Sequence, residues 1–328
     1  MSQRLSVPVG YFGKVPSRGD FVRSTDSHQL MALVDRWAAH TIELLVRHPD
    51  WKRLYDSSGE IRYAFLGSRS RTVIGGLFLP SRDQSQRRFP FLSAVKLEVV
   101  DPLGFIGRSA LALSRPWAGL ARASRDVVAA EDAAEALRGL ADARVEIDVD
   151  PAAHAPAFDD FLELQTVGNL QEALRDADQP GTALRQVLPA LGLLLQPILV
   201  GGGVSVDKGL ELPLPRDPLH RPLTAAFWLD LIAAFLARGD FELAVLIRDT
   251  PRPSLIVGFN GADDQTLLAA FDPQVADAYL IRMHDAAWVE EQLASDYALN
   301  RLASYLDRED LSLSTARKVF RETFLGAV

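Results

Sequence analysis

The side chains that could do chemistry fall into two short polar segments. The first is Gly10-Tyr11-Phe12-Gly13-Lys14-Val15-Pro16-Ser17-Arg18-Gly19-Asp20-Phe21-Val22, with one lysine, one serine, one arginine and one aspartate in seven positions. The second runs from Pro80 to Pro90 and holds Ser81, Arg82, Asp83, Arg87 and Arg88. If the two loops meet, Arg18 and Asp20 can pair with each other or with Asp83, Arg87 and Arg88, with Phe21 and Phe89 as apolar anchors. Such a cluster can bind a partner or a small ligand, and it can equally be an ion-pair network that fixes two loops.

Nucleophilic catalysis needs a base beside the serine. Ser17 and Ser81 have acidic neighbours in sequence but no histidine near them, and no Gly-x-Ser-x-Gly elbow is present. The six histidines, His28, His40, His48, His154, His220 and His284, make no His-x-x-x-His or Glu-x-x-His spacing. A triad assembled in space stays open, because triads need no fixed order along a chain. Gly13-Lys14 lacks the glycine spacing and the following Ser or Thr of a phosphate-binding loop, and Gly201-Gly202-Gly203-Val204-Ser205 lacks its lysine. Arg82, Arg87 and Arg88 remain able to grip a phosphate through charge-assisted hydrogen bonds.

The elements that must carry these loops alternate in type. Val7–Phe12 reads as a strand. A helix starting near Ser27, with Thr25, Asp26 and Ser27 as cap candidates, repeats Met31, Val34, Ala38, Ile42 and Leu45 on one face and stops at Pro49. Ile61–Leu66, Thr72–Leu79 and Phe91–Val100 are β-branched, aromatic and apolar, hence strands. Phe105–Val128 and Glu131–Ala143 are helical, Arg144–Val149 is a weak strand, and Asp150–Pro156 is the best linker. Helices over Phe158–Ala177 and Thr182–Leu195 precede an alternating run, Val204–Leu212. Thr224 caps an apolar helix to Leu236, read as core or as an interface. Strands Phe241–Ile247 and Ser254–Phe259 follow, then the helix Asp263–Phe271 and tail helices over Ala286–Leu306 and Ser314–Leu325, the last capped by Ser312 or Ser314. This interleaving defines an α/β class. We expect an N-terminal α/β domain over 1–150 and a helix-rich α/β region over 151–328, either separate or packed together.

Composition narrows the function. The 328 residues are 48% hydrophobic and 24% charged, ordinary for a folded protein with a sizeable core. A net charge of −8 disfavours a nucleic-acid partner, which selects for a basic face. With no cysteine, thiol catalysis, disulfides, thiolate zinc sites and iron–sulfur clusters are excluded. We expect no metal and no cofactor. The apolar run Val187–Val200 is too short to span a bilayer and is interrupted by Pro189 and Pro197. No secretory signal opens the sequence, so a cytoplasmic location is expected.

The two polar segments also carry a resemblance. The first is similar to the aromatic-Gly-Lys-x-Pro-x-x-Gly-Asp-Phe-Val opening of the TagF family of type VI secretion accessory proteins, with Asp35 and Trp37 where that family has Asp and Trp on the next helix. The second resembles the family's Pro-Ser-x-Asp-x-x-Gly-Arg-x-Phe-Pro loop: Pro80, Ser81, Asp83, Arg87, Phe89 and Pro90 match, while Gln86 replaces a glycine. A position that needs positive φ would strain glutamine. The resemblance implies an αβα sandwich with a mixed sheet, no enzymatic activity, and post-translational regulation of type VI secretion, as a repressor. It implies docking to a type VI component such as the forkhead-associated scaffold protein. The residues expected to form the cluster are Lys14, Ser17, Arg18, Asp20, Ser81, Asp83, Arg87 and Arg88. The other reading is a hydrolase or phosphate-ligand-binding protein using the same Ser/Asp/Arg loops.

Overall fold

In a computed structural model, residues 3–179, 181–200 and 206–326 are described. Gly201–Ser205, singled out above, lies outside them, as does the start of the run Val204–Leu212. The strands are β1 (Arg4–Pro8), β2 (Gly10–Gly13), β3 (Val22–Arg23), β4 (Ile61–Gly67), β5 (Thr72–Leu79), β6 (Phe91–Glu98), β7 (Arg144–Asp148), β8 (Gly209–Pro213), β9 (Glu242–Arg248), β10 (Ser254–Gly258) and β11 (Leu280–Arg282). Nine of them form one sheet in the order β11-β8-β10-β9-β4-β5-β6-β2-β3, and β1 pairs with β7 in a separate ribbon. Among the described residues, β11–β8 is the one parallel strand pair of this sheet and the others are antiparallel, so the sheet is mixed.

The sheet is continuous across both halves of the chain. β4 and β9 are antiparallel neighbours from Ile61↔Arg248 to Gly67↔Glu242. Central strands are apolar on both faces, as expected of strands covered on both sides. Ala64, Leu66, Val73, Leu77, Phe91, Val95, Val245 and Val257 face a thick helical layer that includes Ser114–Ala129 and His220–Leu236. Tyr63, Phe65, Ile74, Phe78, Leu92, Leu246 and Ile256 face the other layer, including His28–Leu45 and Asp264–Phe271. The result is an αβα arrangement within the expected α/β class.

Several boundaries differ from the sequence expectation, each for a local reason. Val7–Phe12 divides between β1 and β2, which pair with different strands. Ser27 starts the helix His28–Leu45 without a side-chain cap bond. Phe105–Val128 breaks into Pro102–Ile106, Ser109–Ala112 and Ser114–Ala129, the first capped by Asp101 with proline at its start. Phe158–Ala177 is also two helices, because Thr166 caps the second by accepting from Asn169 N–H. The region Ala286–Leu306 breaks at Asp296, whose carboxylate accepts from Ala298 and Leu299 N–H. Asp150 caps a 3-10 turn, Pro151–His154, where a linker was expected. Thr224 is no cap: the helix starts at His220, and Thr224 lies buried inside it. Pro189 and Pro197 are accommodated within the helix Leu184–Val200.

Candidate functional site

The two polar loops meet at the β2 end of the sheet. β2 and β6 pair through Gly13↔Phe91, and the residues just beyond the pair are Lys14 and Pro90. Gly13 has φ of 144°, and a Cβ there would clash with the Pro90 carbonyl oxygen. Only glycine therefore allows Lys14 N–H to reach Pro90 O at 3.4 Å.

Asp83 is the hub, with a side chain 0% exposed. Its Oδ2 accepts from Lys14 Nζ at 2.9 Å and Arg87 Nε at 2.7 Å. Its Oδ1 accepts from the backbone N–H of Ser85 and of Arg87, both at 2.9 Å. Burial alone would raise the Asp83 pKa, but the Lys14 and Arg87 bonds outweigh it and hold the carboxyl well below its ordinary range. Arg87 also donates to Gly19 O at 2.8 Å, and Gln84 N–H donates to Arg18 O at 2.9 Å, so the second loop grips the first. Lys14 Nζ lies 4.9 Å from the centre of the Phe21 ring. Phe12, Phe21 and Phe89 pack ring against ring at 5.1–5.9 Å, and Phe21 is still 43% exposed.

The wrap of the loop around Asp83 forces Gln86 to φ of 65°. Gln86 N–H donates to Asp83 O, and Arg87 N–H turns back to the same side chain. The position where the family resemblance has glycine thus does take a left-handed conformation, and glutamine bears the strain.

Not every expected residue joins the hub. Arg18 and Asp20 do not pair: Arg18 reaches Asp132 at 2.8 Å on an exposed surface, and Asp20 accepts from Phe21 N–H at 2.8 Å. Arg88 leaves the cluster for Asp56, bound at 2.8 and 2.6 Å in a two-pronged pair. Ser17 Oγ accepts from Ala133 N–H at 3.3 Å. Ser81 is held through its backbone, which exchanges bonds with the Tyr55 hydroxyl at 2.9 and 3.0 Å; its own hydroxyl is buried with no partner among the described residues. Neither serine bonds a histidine among those residues, and Arg87 and Arg88 are each engaged by a carboxylate.

Residues 10–143 match the family described as the TagF N-terminal domain, Type VI secretion system-associated. The chain carries a TagF N-terminal domain. It is thereby associated with type VI secretion, and both polar loops lie inside the TagF domain. A similar solved structure is the crystal structure of PA0076 from Pseudomonas aeruginosa PAO1, 24% identical, with a TM-score of 0.33. That match covers 40% of this chain and 60% of the other. No curated protein matches. No helix among the described residues is long and apolar enough to cross a membrane.

Sequence reasoning missed a second charged hub, outside the polar loops. Asp230 is 6% exposed and takes three arginines: Arg108 at 2.9 Å, Arg317 at 2.7 and 2.9 Å, and Arg321 at 2.8 Å. The Arg108 guanidinium also lies 3.8 Å from the centre of the Phe158 ring. A signal was present: Asp230 is the lone acid in the apolar stretch Ala225–Leu236. A carboxylate in such a helix requires buried partners. Arg108 belongs to the TagF domain, whereas Asp230, Arg317 and Arg321 lie beyond it, so this hub ties the domain to the rest of the chain.

Proposed function

We propose that this protein is a non-enzymatic, post-translational regulator of type VI secretion, a repressor that docks to a component of the apparatus through the rim of its two-loop cluster. The forkhead-associated scaffold protein is the partner we favour, in keeping with the family resemblance. The observation that carries the docking site is Phe21, an exposed aromatic ring clamped by Phe12, Phe89 and Lys14. A rigid aromatic loses little conformational freedom on association, and aromatics with arginine dominate binding hot spots. Exposed Arg18, Asp20 and Arg87 belong to the same two loops and supply polar selectivity, whereas buried Lys14 and Asp83 only hold the platform. The engagement of Ser17 by Ala133 N–H, with no histidine bonded to it among the described residues, and the buried Ser81 hydroxyl support docking over hydrolysis.

The test is recovery of partners from cells that contain the apparatus, with the wild type, Phe21→Ala and Arg18→Glu. Type VI components should co-purify with the wild type and be lost from the variants, which keep native circular dichroism. If folded Phe21→Ala and Arg18→Glu recover the same partners and repress secretion equally, the docking site lies elsewhere.

A further inference from the structure

At the opposite end of the sheet, a cavity of 330 Å³ opens between the strand ends and the turn joining the helices Asp264–Phe271 and Pro273–Tyr279. Its floor follows from register. Ser254 lies opposite Arg248, and Arg282 lies opposite Glu211, so all four project from one face. Along β9 and β10 the next residues on that face are Leu246 and Ile256, which are core. At this end the apolar face of β9 and β10 turns polar, under Phe271, Pro273 and Ala276.

Two donors in this floor lack acceptors. Ser254 is 5% exposed, and its hydroxyl has no hydrogen-bond partner among the described residues. Arg248 Nε is buried in the same condition. The nearest carboxylate to the Arg248 guanidinium, Glu211, stands 3.7 Å away, beyond hydrogen-bond reach. Buried polar groups are nearly always satisfied, so two adjacent orphans in a cavity wall call for a missing acceptor.

Charge defines that acceptor. Arg282 is bound by Asp277 at 2.6 Å, and Asp178 is bound by Arg216. Glu211, 3.5 Å from Arg282 and 3.7 Å from Arg248, is then the one remaining carboxylate in the wall for Arg248 and the exposed Arg252, an excess of one positive charge, with His284 also in the wall. A singly charged oxyanion balances the site, whereas a phosphate dianion would overcharge it. The volume suits a small organic ligand, and the apolar roof suits a carbon skeleton. We propose that this cavity binds a small organic monocarboxylate, its oxygens accepting from Arg248 and Ser254 and its carbons lying against Phe271 and Pro273.

Thermal shift and calorimetry on the full chain test this, with butyrate, lactate and inorganic phosphate each compared with sodium chloride at matched ionic strength. At least one of the two carboxylates should give a saturable stabilisation that chloride does not. Ser254→Ala removes a buried orphan, so the ligand-free protein should melt at the same temperature or higher, while its carboxylate affinity falls about ten-fold. Arg248→Met should abolish the response; if that variant does not fold, Ser254→Ala decides. The proposal is overturned if neither carboxylate exceeds chloride, if phosphate alone stabilises, or if Ser254→Ala binds as tightly as the wild type.

Discussion

Replacing Asp230 by asparagine tests whether the arginine hub holds the molecule together. The substitution keeps shape and removes one charge. It leaves Arg108, Arg317 and Arg321 converging on a neutral group that is 6% exposed in the native protein. Removing one side of a buried ion pair costs roughly 3–5 kcal/mol, because the remaining charges stay desolvated and here repel each other. For a chain of this size that corresponds to a fall in melting temperature of about 4–7 °C. Arg321→Gln is the control: its side chain is 32% exposed and the other two arginines remain, so about 1 kcal/mol is expected. Denaturant unfolding followed by tryptophan fluorescence gives both values. If Asp230→Asn costs no more than Arg321→Gln, the guanidiniums relax into solvent and the hub is not a structural tie.

Four further outcomes are expected. Gln86→Gly relieves a left-handed glutamine worth about 1 kcal/mol but adds unfolded-state entropy of about 0.5 kcal/mol, so a net stabilisation of about 0.5 kcal/mol should appear in denaturant midpoints. Gly13→Ala drives a methyl group into the Pro90 carbonyl and should lower the melting temperature while disordering the Lys14–Asp83 contact, read by loss of amide protection at Lys14. The Asp83 and Asp230 carboxyls both titrate below their unfolded values, so their stabilisation is complete above about pH 4 and is lost as pH falls below it; acid titration of the wild type against Asp230→Asn should show that dependence reduced in the variant. A fragment of residues 1–143 should aggregate or stay partly unfolded by circular dichroism, because it leaves all seven residues of β4 without their β9 partners.

Local pattern was enough for much of this fold. The apolar runs of β4, β5 and β10 and the amphipathic stripe of His28–Leu45 mark themselves, because both faces or one face must be buried. The helix breaks at Thr166 and Asp296 were hidden, since a capping side chain has the same composition inside or between helices. Lys14, Asp83, Phe21 and Phe89 could be grouped in the sequence only on the condition that the two loops meet, and the pairing of β2 with β6 brings them to one sheet end. The partners of Arg18 and Arg88 could not: Asp132 and Asp56 come from other segments, and surface arginines choose among carboxylates by reach, which sequence does not encode. The Asp230 hub and the Arg248–Ser254 cavity depend on side chains brought together by tertiary packing or strand register.

The β4–β9 seam also has a consequence in time. Synthesis runs from the N-terminus, so Ile61–Gly67 leaves the ribosome long before Glu242–Arg248 exists. At ordinary elongation rates the gap is on the order of ten seconds. For that interval the nascent TagF domain presents an apolar strand with an open row of backbone donors and acceptors, directed toward whatever strand arrives first. The growing chain therefore depends on slow collapse or on a holding chaperone until its own second half arrives, and a ribosome pause before Glu242 should lower the yield of native protein without any change in its sequence.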